Sequence, residues 1–219
     1  MNQPSLILIQ ARLELQSDLH IGSRSASHFG ADKGLPIVRN ELDGMPYIPG
    51  SSLKGRMKRL LAATRGADGL WPNGFQPDLT VLFGAPGRRG VVSFWDVHIN
   101  TGWLSERLGA DLAITQFRGE VRSFEGLAMH ERFQLREVVC TGVHFDFKLT
   151  LQACDAGTLE SVLMGLKLLE WQGIGASTSR GMGRIKFSAL HGNGVSLQPR
   201  FDQLDISYTE TICCEAPHT

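Results

Sequence analysis

The chain has 219 residues, 42% of them hydrophobic, which is enough apolar content for a buried core, and its formal net charge is zero. No run approaches the ~20 apolar residues of a membrane-spanning helix and no signal peptide opens the chain, so we expect a cytoplasmic protein. The four cysteines lack the spacing of a zinc site, which argues against a structural metal.

The neutral total hides an uneven distribution of charge. Between residues 24 and 65 there are eight lysines and arginines and three acids, whereas residues 202–219 carry four acids and no lysine or arginine. Sixteen of the 22 cations are arginines, whose planar guanidinium groups favour forked recognition of phosphate. The N-terminal region is therefore basic and the C-terminal tail acidic.

Hydrophobic periodicity predicts strands and helices along most of the chain. In chain order they are a strand over 6–19, a helix over 52–64, a short helix over 78–83, strands over 91–99, 133–139 and 143–151, a helix over 158–172 and a strand over 183–190. The series strand, helix, strand, strand, helix, strand is typical of a split βαβ sheet. It predicts an α+β fold with an RRM-like or ferredoxin-like core, an antiparallel sheet with helices on one face. Trp95 and Trp171 fall within these elements, so we expect both in the core.

A single decorated domain over residues 1–219 is predicted, because no repeat or low-complexity linker divides the chain. Insertions enlarge the core at 22–46, 65–90 and 100–131, and the acidic tail covers 191–219. The first insertion is long for a loop in a compact domain, which is typical of a functional segment.

The start of the first helix combines a Pro-Gly turn, two hydroxyl groups and four positive charges. The hydroxyls belong to Ser51 and Ser52, and the cations are Lys54, Arg56, Lys58 and Arg59. Backbone N–H groups at a helix start bind anionic oxygens, and several cations in a row suit a polymer of phosphates. The alternative is an ordinary amphipathic helix, with Ser51 or Ser52 as its N-cap and a solvated basic face.

A glycine-rich segment over 173–184 lies between the last predicted helix and the last predicted strand. Its glycines allow the backbone to approach a ligand closely. Its side chains that could donate to phosphate are Ser177, Thr178, Ser179, Arg180 and Arg184. The Gly-Lys-Ser/Thr ending of a Walker loop is absent and a strand follows, which excludes that type of nucleotide site. A tight turn that needs positive φ angles is the alternative.

Four motifs follow one another along residues 5–190. They are Leu19-His-Ile-Gly, Ile37-Val-Arg-Asn, Pro46-Tyr-Ile-Pro-Gly-Ser-Ser-Leu-Lys-Gly and Ser179-Arg-Gly-Met-Gly-Arg. In this order they resemble the RAMP superfamily, and more narrowly the backbone subunits of type III CRISPR RNA-guided effector complexes. The resemblance implies an RRM-like fold, repeated subunits along a guide RNA, and cutting of a paired target RNA at regular intervals. The implied partners are guide RNA, target RNA, other RAMP subunits and further copies of the chain, with no membrane.

The resemblance also implies a catalytic aspartate, which matches Asp32 in the loop before Val38 and Arg39. Its carboxylate would hold a divalent cation, Mg²⁺ or Mn²⁺, or help to deprotonate a ribose 2′-OH for in-line attack on the next phosphate. That route leaves a 2′,3′-cyclic phosphate. Lys33 and Gly34 add spacing that departs from the family's pattern. An aspartate that caps a surface turn is the alternative.

The RNA-binding positions are assigned from these motifs. They are His20, Arg24, Arg39, Ser51, Ser52, Lys54, Arg56, Arg59, Ser179, Arg180 and Arg184. Residues 112–139 match the family's thumb, a hairpin that wedges between guide and target bases. In it Phe124, Leu127 and Met129 would separate bases, and Arg118, Arg122 and Arg132 would hold phosphates. The alternative is a strand whose apolar residues complete the core.

The expected function is a guide-RNA-binding backbone subunit that cleaves target RNA with metal assistance through Asp32. Two alternatives stay open. A structural subunit of the same complex would have no active aspartate. A precursor-guide-processing endoribonuclease would rely on a histidine, and His28 lies four residues from Asp32.

Overall fold

The computed structural model describes residues 6–22, 35–64, 77–107, 114–124, 130–152 and 156–204, with the backbone alone for 120–124, 130–134 and 156. The strands are β1 (Leu6–Leu15), β2 (Tyr47–Ile48), β3 (Gly84–Ala85), β4 (Arg88–Arg89), β5 (Val92–Phe94), β6 (Val97–Ile99), β7 (Thr115–Phe124), β8 (His130–Val139), β9 (His144–Gln152), β10 (Ile185–Gly192) and β11 (Val195–Ser196). The helices are α1 (Gly50–Ala63), α2 (Leu79–Phe83), α3 (Thr101–Arg107), α4 (Ala156–Gln172) and α5 (Gln198–Asp202). Within these ranges no helix is long and apolar enough to cross a membrane.

The main sheet has the strand order β11-β10-β1-β9-β6-β2, with β5 also paired to β9, and its pairings are antiparallel. At its centre Ile9 of β1 stands opposite Leu149 of β9, and Leu13 stands opposite Phe145. All four side chains are fully buried. Because successive residues of a strand point to opposite faces, one face of the sheet is buried and the other is partly exposed.

Helices α1, α4 and α5 pack against the buried face. Phe187 of β10 meets Phe147 of β9 and Phe201 of α5 edge to face, with ring centroids 5.0 and 6.3 Å apart. Helix α1 buries side chains at helical spacing, namely Leu53, Met57 and Leu61. The predicted α+β class, an antiparallel sheet with packed helices, is confirmed.

The structure differs from the predicted strands in three respects. The first strand ends at Leu15 rather than at residue 19, and beyond it Leu19 pairs singly with Val139. The strand predicted over 91–99 is interrupted at Trp95 and Asp96, which separate β5 from β6. The two strands predicted on either side of residues 141–142 do not pair with each other, since β8 pairs with β7 and β9 joins the main sheet.

The prediction that Trp95 and Trp171 belong to the core is wrong. Trp95 is 50% exposed and Trp171 is 44% exposed. Trp95 lies in the break between β5 and β6, where the alternation of buried and exposed side chains stops. Trp171 lies in the last turn of α4, one residue before the helix ends at Gln172.

Helices α1 and α4 approach each other closely at Gly165. A Cβ atom built on Gly165 would lie 2.4 Å from Cε and 2.8 Å from Cγ of Met57, which is 1% exposed. Real Cβ atoms essentially never come this close to another heavy atom. The absence of a side chain at Gly165 therefore sets the distance between the two helices.

We predict that Gly165→Val lowers the free energy of unfolding by about 1–3 kcal/mol, because the added atoms overpack a filled core. Gly55→Val in α1 is the matched control, since nothing lies within 4 Å of its ideal Cβ position. The control should stay within about 0.5 kcal/mol of the parent chain. Chemical denaturation of the three proteins measures the difference, and equal stabilities would contradict the proposed contact with Met57.

Candidate nucleic-acid interface

A groove of about 790 Å³ opens beside the start of α1. Its walls come from the segment after β1, from residues 38–42, and from the β5–β6 break. The polar side chains that line it include Arg39, Asn40, Glu41, Ser51, Ser52, Asp96 and His98. The groove therefore brings together the predicted Ser51 and Ser52 and the predicted Arg39.

The two serines do not cap α1. The N-cap is Pro49, which has extended backbone angles and makes no side-chain cap, so Ser51 and Ser52 lie in the first turn. The interpretation of either serine as an N-cap is wrong, because the helix begins at Gly50. Their hydroxyl groups thus face the groove rather than close the helix end.

An aspartate of the protein occupies the start of α1. Gly50 N–H donates to Asp96 Oδ1 at 2.8 Å, and an acidic group near a helix N-terminus is stabilised by the helix dipole. A Cβ atom on Gly50 would lie 2.7 Å from the carbonyl oxygens of both Phe94 and Trp95. Sequence reasoning missed Asp96, because only the break between β5 and β6 brings it under the helix.

The four cations of α1 do not form one cluster. At about 100° per residue, Lys54 and Arg56 point about 160° apart around the helix axis. Lys54 lines a second cavity beside the β3–β4 hairpin, whereas Arg56 reaches the glycine-rich segment. Lys58 and Arg59 are exposed between these two borders. A single phosphate therefore cannot be held by Lys54 and Arg56 together.

Arg56 and Arg184 bind backbone oxygens of the protein. Arg56 donates from Nε to the carbonyl of Gly173 at 3.1 Å and from a terminal nitrogen to that of Gln172 at 3.2 Å. Burial, followed by the neighbouring charge of Arg59, lowers the pKa of Arg56. The Arg184 guanidinium donates to the carbonyl of Trp171. Both side chains fasten the end of α4, and their predicted contacts with RNA stay predictions.

The glycine-rich segment is a tight turn fastened to the end of β1. Gly183 has φ 72°, and a Cβ atom there would lie 1.8 Å from the carbonyl oxygen of Ile174, so only glycine fits. Ala176 N–H donates to the carbonyl of His20 at 2.9 Å. Ser179 and Arg180 are exposed at the tip. The segment is therefore a tight turn with positive φ angles, as the alternative prediction stated. A tight turn is compatible with ligand binding, because it leaves the side chains of Ser179 and Arg180 pointing outward.

The buried carboxylate of Asp18 links four segments of the chain. It accepts hydrogen bonds from the Thr141 backbone N–H at 2.9 Å, from the Thr141 hydroxyl at 2.8 Å and from Gln116 Nε2 at 2.9 Å. Arg118 Nε lies 3.1 Å from its Oδ2 atom. Its backbone carbonyl accepts from Gly183 N–H at 2.9 Å. The segment that follows β1 thereby fixes the base of the β7–β8 hairpin and the glycine-rich turn in place.

Three guanidinium groups line a cavity of about 410 Å³ between the β7–β8 hairpin and the glycine-rich turn. They belong to Arg118, Arg136 and Arg180. Arg118 and Arg136 stand directly opposite each other in the hairpin, where like charges are destabilising. Arg118 is paired with Asp18, whereas Arg136 is 3% exposed and donates to the Ser177 hydroxyl at 3.4 Å. Arg136 was not singled out from the sequence, since its significance depends on the strand register.

Arg39 and His20 have partners in β8. The Arg39 guanidinium binds one carboxylate oxygen of Glu137, and the other oxygen accepts from Ile37 N–H at 3.1 Å. His20 is 4% exposed, and its Nδ1 atom lies 2.7 Å from the carbonyl oxygen of Glu137. These contacts hold both walls of the groove against the thumb strand. An RNA contact of either residue stays a prediction.

Gly55 lies in the middle of the exposed face of α1. Glycine in a helix interior costs about 1 kcal/mol relative to alanine, yet no atom within 4 Å of its ideal Cβ position requires it. Ser51 lies one turn before it and Arg59 one turn after it, on the same face. No contact within the described protein therefore explains a glycine at this position.

Several predicted positions lie outside the described residues. They are Asp32, Arg24, Leu127 and Met129, together with the side chains of Arg122, Phe124 and Arg132. Where the chain is described, no group of three or more His, Cys, Asp or Glu residues could hold a metal. The groove supplies two carboxylates, Glu41 and Asp96, which are oxygen ligands of the kind that Mg²⁺ and Mn²⁺ prefer. Asp96 already accepts from the Gly50 N–H, so the described residues alone do not make a cation site, and Asp32 stays the predicted metal ligand.

Residues 12–186 match the RAMP superfamily. Because the match covers well over half of the chain, the protein belongs to this superfamily. Within it the chain is similar to the CRISPR system Cms endoribonuclease Csm3 of Mycobacterium tuberculosis, with 31% identity over 211 residues that cover 84% of this chain and 87% of that protein. It is also 29% identical over 197 residues to the protein of the same name from Enterococcus italicus, with 84% and 90% covered.

Two solved structures share the fold. A chain of the type III-B Cmr-beta complex bound to cognate target RNA, determined by cryo-EM, superposes with a TM-score of 0.64 at 16% identity. The superposition covers 85% of this chain and 60% of that one. A chain of the crystal structure of the Csm3-Csm4 subcomplex, from a type III-A CRISPR-Cas interference complex, gives a TM-score of 0.53 at 21% identity, with 87% and 79% covered.

We predict that Arg56→Lys loosens the glycine-rich turn although the positive charge is kept. A lysine cannot donate in a fork to the carbonyls of Gln172 and Gly173, and a lost hydrogen bond costs about 1 kcal/mol. Hydrogen exchange at the Ile174 and Ala176 amides should accelerate several-fold. Arg59→Lys is the matched control on the exposed face and should leave both rates unchanged. Equal rates in the two variants would contradict the structural role of Arg56.

Proposed function

We propose that the chain is a guide-RNA-binding backbone subunit of a type III CRISPR RNA-guided complex and that it cleaves paired target RNA at regular intervals. The observation that carries the proposal is the groove beside α1, which brings Ser51 and Ser52 together with Arg39 next to the exposed helix face at Gly55. Hydroxyl and guanidinium donors along one groove suit a polymer of phosphates. The similarity to proteins named as CRISPR endoribonucleases supports the same function.

The RRM-like or ferredoxin-like description of the core belongs to the same proposal. The strand order β10-β1-β9-β6 supports it, because β1, α1, β5 with β6, β9, α4 and β10 follow one another as strand, helix, strand, strand, helix, strand. Because β10 runs antiparallel to β1, with Ile185 opposite Leu15, the turn before β10 and the end of β1 lie at the same edge of the sheet. The end of β1, the start of α1 and the glycine-rich turn would thus present their backbone groups to one RNA strand.

The guide strand would run along the exposed face of α1. Ser51 and Ser52 would donate from the groove, Arg59 from the helix, and Ser179 and Arg180 from the tip of the turn. Hydroxyl and guanidinium groups are common phosphate ligands and read no sequence, which suits a subunit that must accept any guide. Gly55 would let the sugar-phosphate backbone lie against the helix.

Target cleavage would depend on Asp32. The segment that carries it leaves the described chain at Gly22 and re-enters it at Leu35, and Gly22 pairs with Ile37 in a single bridge beside the groove. Asp32 would accept the proton of a ribose 2′-OH, whose oxygen attacks the adjacent phosphorus while the bond to the 5′-oxygen breaks. The products would carry a 2′,3′-cyclic phosphate and a 5′-OH. A bound Mg²⁺ or Mn²⁺ would stabilise charge on the phosphate.

The proposed partners follow from this role. They are the guide RNA, the target RNA, other RAMP subunits and further copies of the chain. A solved structure of a related fold contains target RNA, and another contains two different subunits, which supports both kinds of partner. The purified assembly should therefore contain RNA and more than one kind of protein chain.

We predict that Asp32→Asn in the assembled complex lowers the rate of target-RNA cleavage by about 10²-fold or more, because a proton acceptor or metal ligand is lost. Guide RNA should remain bound. Asp43→Asn is the matched control, since Asp43 Oδ1 accepts from Met45 N–H at 2.8 Å and an asparagine keeps that acceptor. Gel analysis of labelled target RNA measures the rates.

Unchanged cleavage in Asp32→Asn would favour the alternative of a non-catalytic structural subunit and assign the cutting to another chain. Cleavage of a precursor repeat RNA by the isolated protein would instead favour the guide-processing alternative. We expect no cleavage of that precursor.

We predict that Gly55→Val weakens guide-RNA binding about tenfold, equivalent to about 1.4 kcal/mol, while the protein remains folded. The added side chain would keep the sugar-phosphate backbone away from α1. Gly102→Val in α3 is the control, since Gly102 is also an exposed helical glycine. Fluorescence anisotropy with labelled RNA measures both affinities, and an unchanged affinity in Gly55→Val would argue against the path along α1.

A further inference from the structure

A second basic cavity lies across α1 from Arg56. The β3–β4 hairpin folds beside the helix and encloses with it a cavity of about 590 Å³. Its charged lining residues are Lys54, Arg88 and Arg89. Among the described residues that line it, none is acidic. None of the sequence motifs drew attention to Arg88 or Arg89.

The three charges lack close compensation by acids. In the part of the chain that the structure describes, the ion pairs found involve none of the three side chains. The acid that acts on this cluster is Asp78, whose pKa is lowered by the backbone N–H groups of Val81 and Thr80 and then by the charge of Arg88. Asp78 is engaged as the N-cap of α2. The cavity therefore holds an excess of positive charge.

The hairpin that carries the arginines is rigidly seated. A Cβ atom on Gly90 would lie 2.4 Å from the carbonyl carbon of Phe83, so the two ends of the hairpin are in direct backbone contact. Val91 N–H donates to the carbonyl of Val81 at 3.0 Å, which ties the hairpin to α2. Gly87 has φ 78° after Pro86, as a tight turn requires. The backbone that carries Arg88 and Arg89 is thus fixed beside Lys54 before any ligand binds, which lowers the entropic cost of binding.

The surface between this cavity and the groove is suited to a nucleic-acid strand. Ser93 lines the cavity and Asp96 lines the groove. Between them in sequence lies Trp95, which is 50% exposed and offers a ring on which a base can stack. On the other side the exposed face of α1 carries Lys58 and the open position at Gly55. An acidic peptide would use the cations but would have no need of the exposed indole.

We propose that Lys54, Arg88 and Arg89 form a second phosphate-binding site for the same RNA, so that the strand crosses α1 from the groove to the β3–β4 hairpin. The inference rests on the proposed function, because it assigns a longer path to the RNA held there. The ligand is the sugar-phosphate backbone of single-stranded RNA. The site adds affinity without reading bases, and it lengthens the stretch of RNA covered by one subunit.

The test is the salt dependence of RNA binding by the full chain carrying R88E/R89E. Labelled single-stranded RNA of mixed sequence is titrated at several salt concentrations. Each lost phosphate contact lowers the slope of log affinity against log salt by about 0.7, so the slope should fall by about 1.4 and the affinity at low salt by about tenfold or more. R107E/K186E changes the net charge equally at exposed sites elsewhere and should leave the slope near that of the parent.

Two outcomes would overturn the inference. One is an R88E/R89E slope equal to that of R107E/K186E. The other is normal RNA binding with loss of assembly into the complex, which would make the cavity a protein contact. If charge reversal prevents folding, the milder variant R88Q/R89Q replaces R88E/R89E in the test. We expect its slope of log affinity against log salt to fall by the same amount. If neither R88E/R89E nor Gly55→Val changes RNA binding, the proposed function itself fails. If Gly55→Val weakens RNA binding and R88E/R89E does not, only the second site is rejected.

Discussion

The buried carboxylate of Asp18 is the interaction on which the rest of the interface depends. It is 6% exposed, and its oxygens satisfy donors from Gln116, Arg118 and Thr141 while its carbonyl accepts from Gly183. Each donor left unsatisfied in a buried site costs about 1–3 kcal/mol, so the hairpin base and the glycine-rich turn are held in one arrangement. Asp18 therefore fixes the supports of the arginines that line the adjacent cavity, through its carboxylate at the hairpin and through its backbone carbonyl at the turn.

The faces of helix α1 make different kinds of contact. Its inward face packs on α4, where Gly165 permits a close crossing, and its N-terminus is taken by Asp96. Arg56 braces the turn on one border, while Lys54 faces the β3–β4 hairpin on the other. A row of four cations in a sequence thus separates into structural and ligand-facing members once helical geometry is applied. Loss of RNA binding on replacing Arg56 would therefore not by itself indicate a phosphate contact.

The sequence was sufficient for much of the fold, because periodicity reports which side chains face the core. Both long helices and the main strands appear where 3.6-residue and two-residue patterns place them, and Ser51 and Ser52 do reach a groove. Periodicity could not predict Asp96 or Arg136, since each acquires its neighbours through a strand break or a pairing register. Trp95 was misjudged for the same reason. Asp32 and the thumb tip lie outside the described residues, so their roles stay predictions.

The interruption between β5 and β6 has a consequence for how the chain can vary. Exposed connections usually tolerate added or deleted residues. Here Gly50 packs directly against the connection. The carbonyl oxygens of Phe94 and Trp95 leave no room for a Cβ atom on Gly50, and the carboxylate of Asp96 accepts from its N–H. One additional residue would rotate α1 or unseat it, and the groove and the basic cavity would lose their alignment together. A short surface connection therefore has the length constraint normally associated with a core strand.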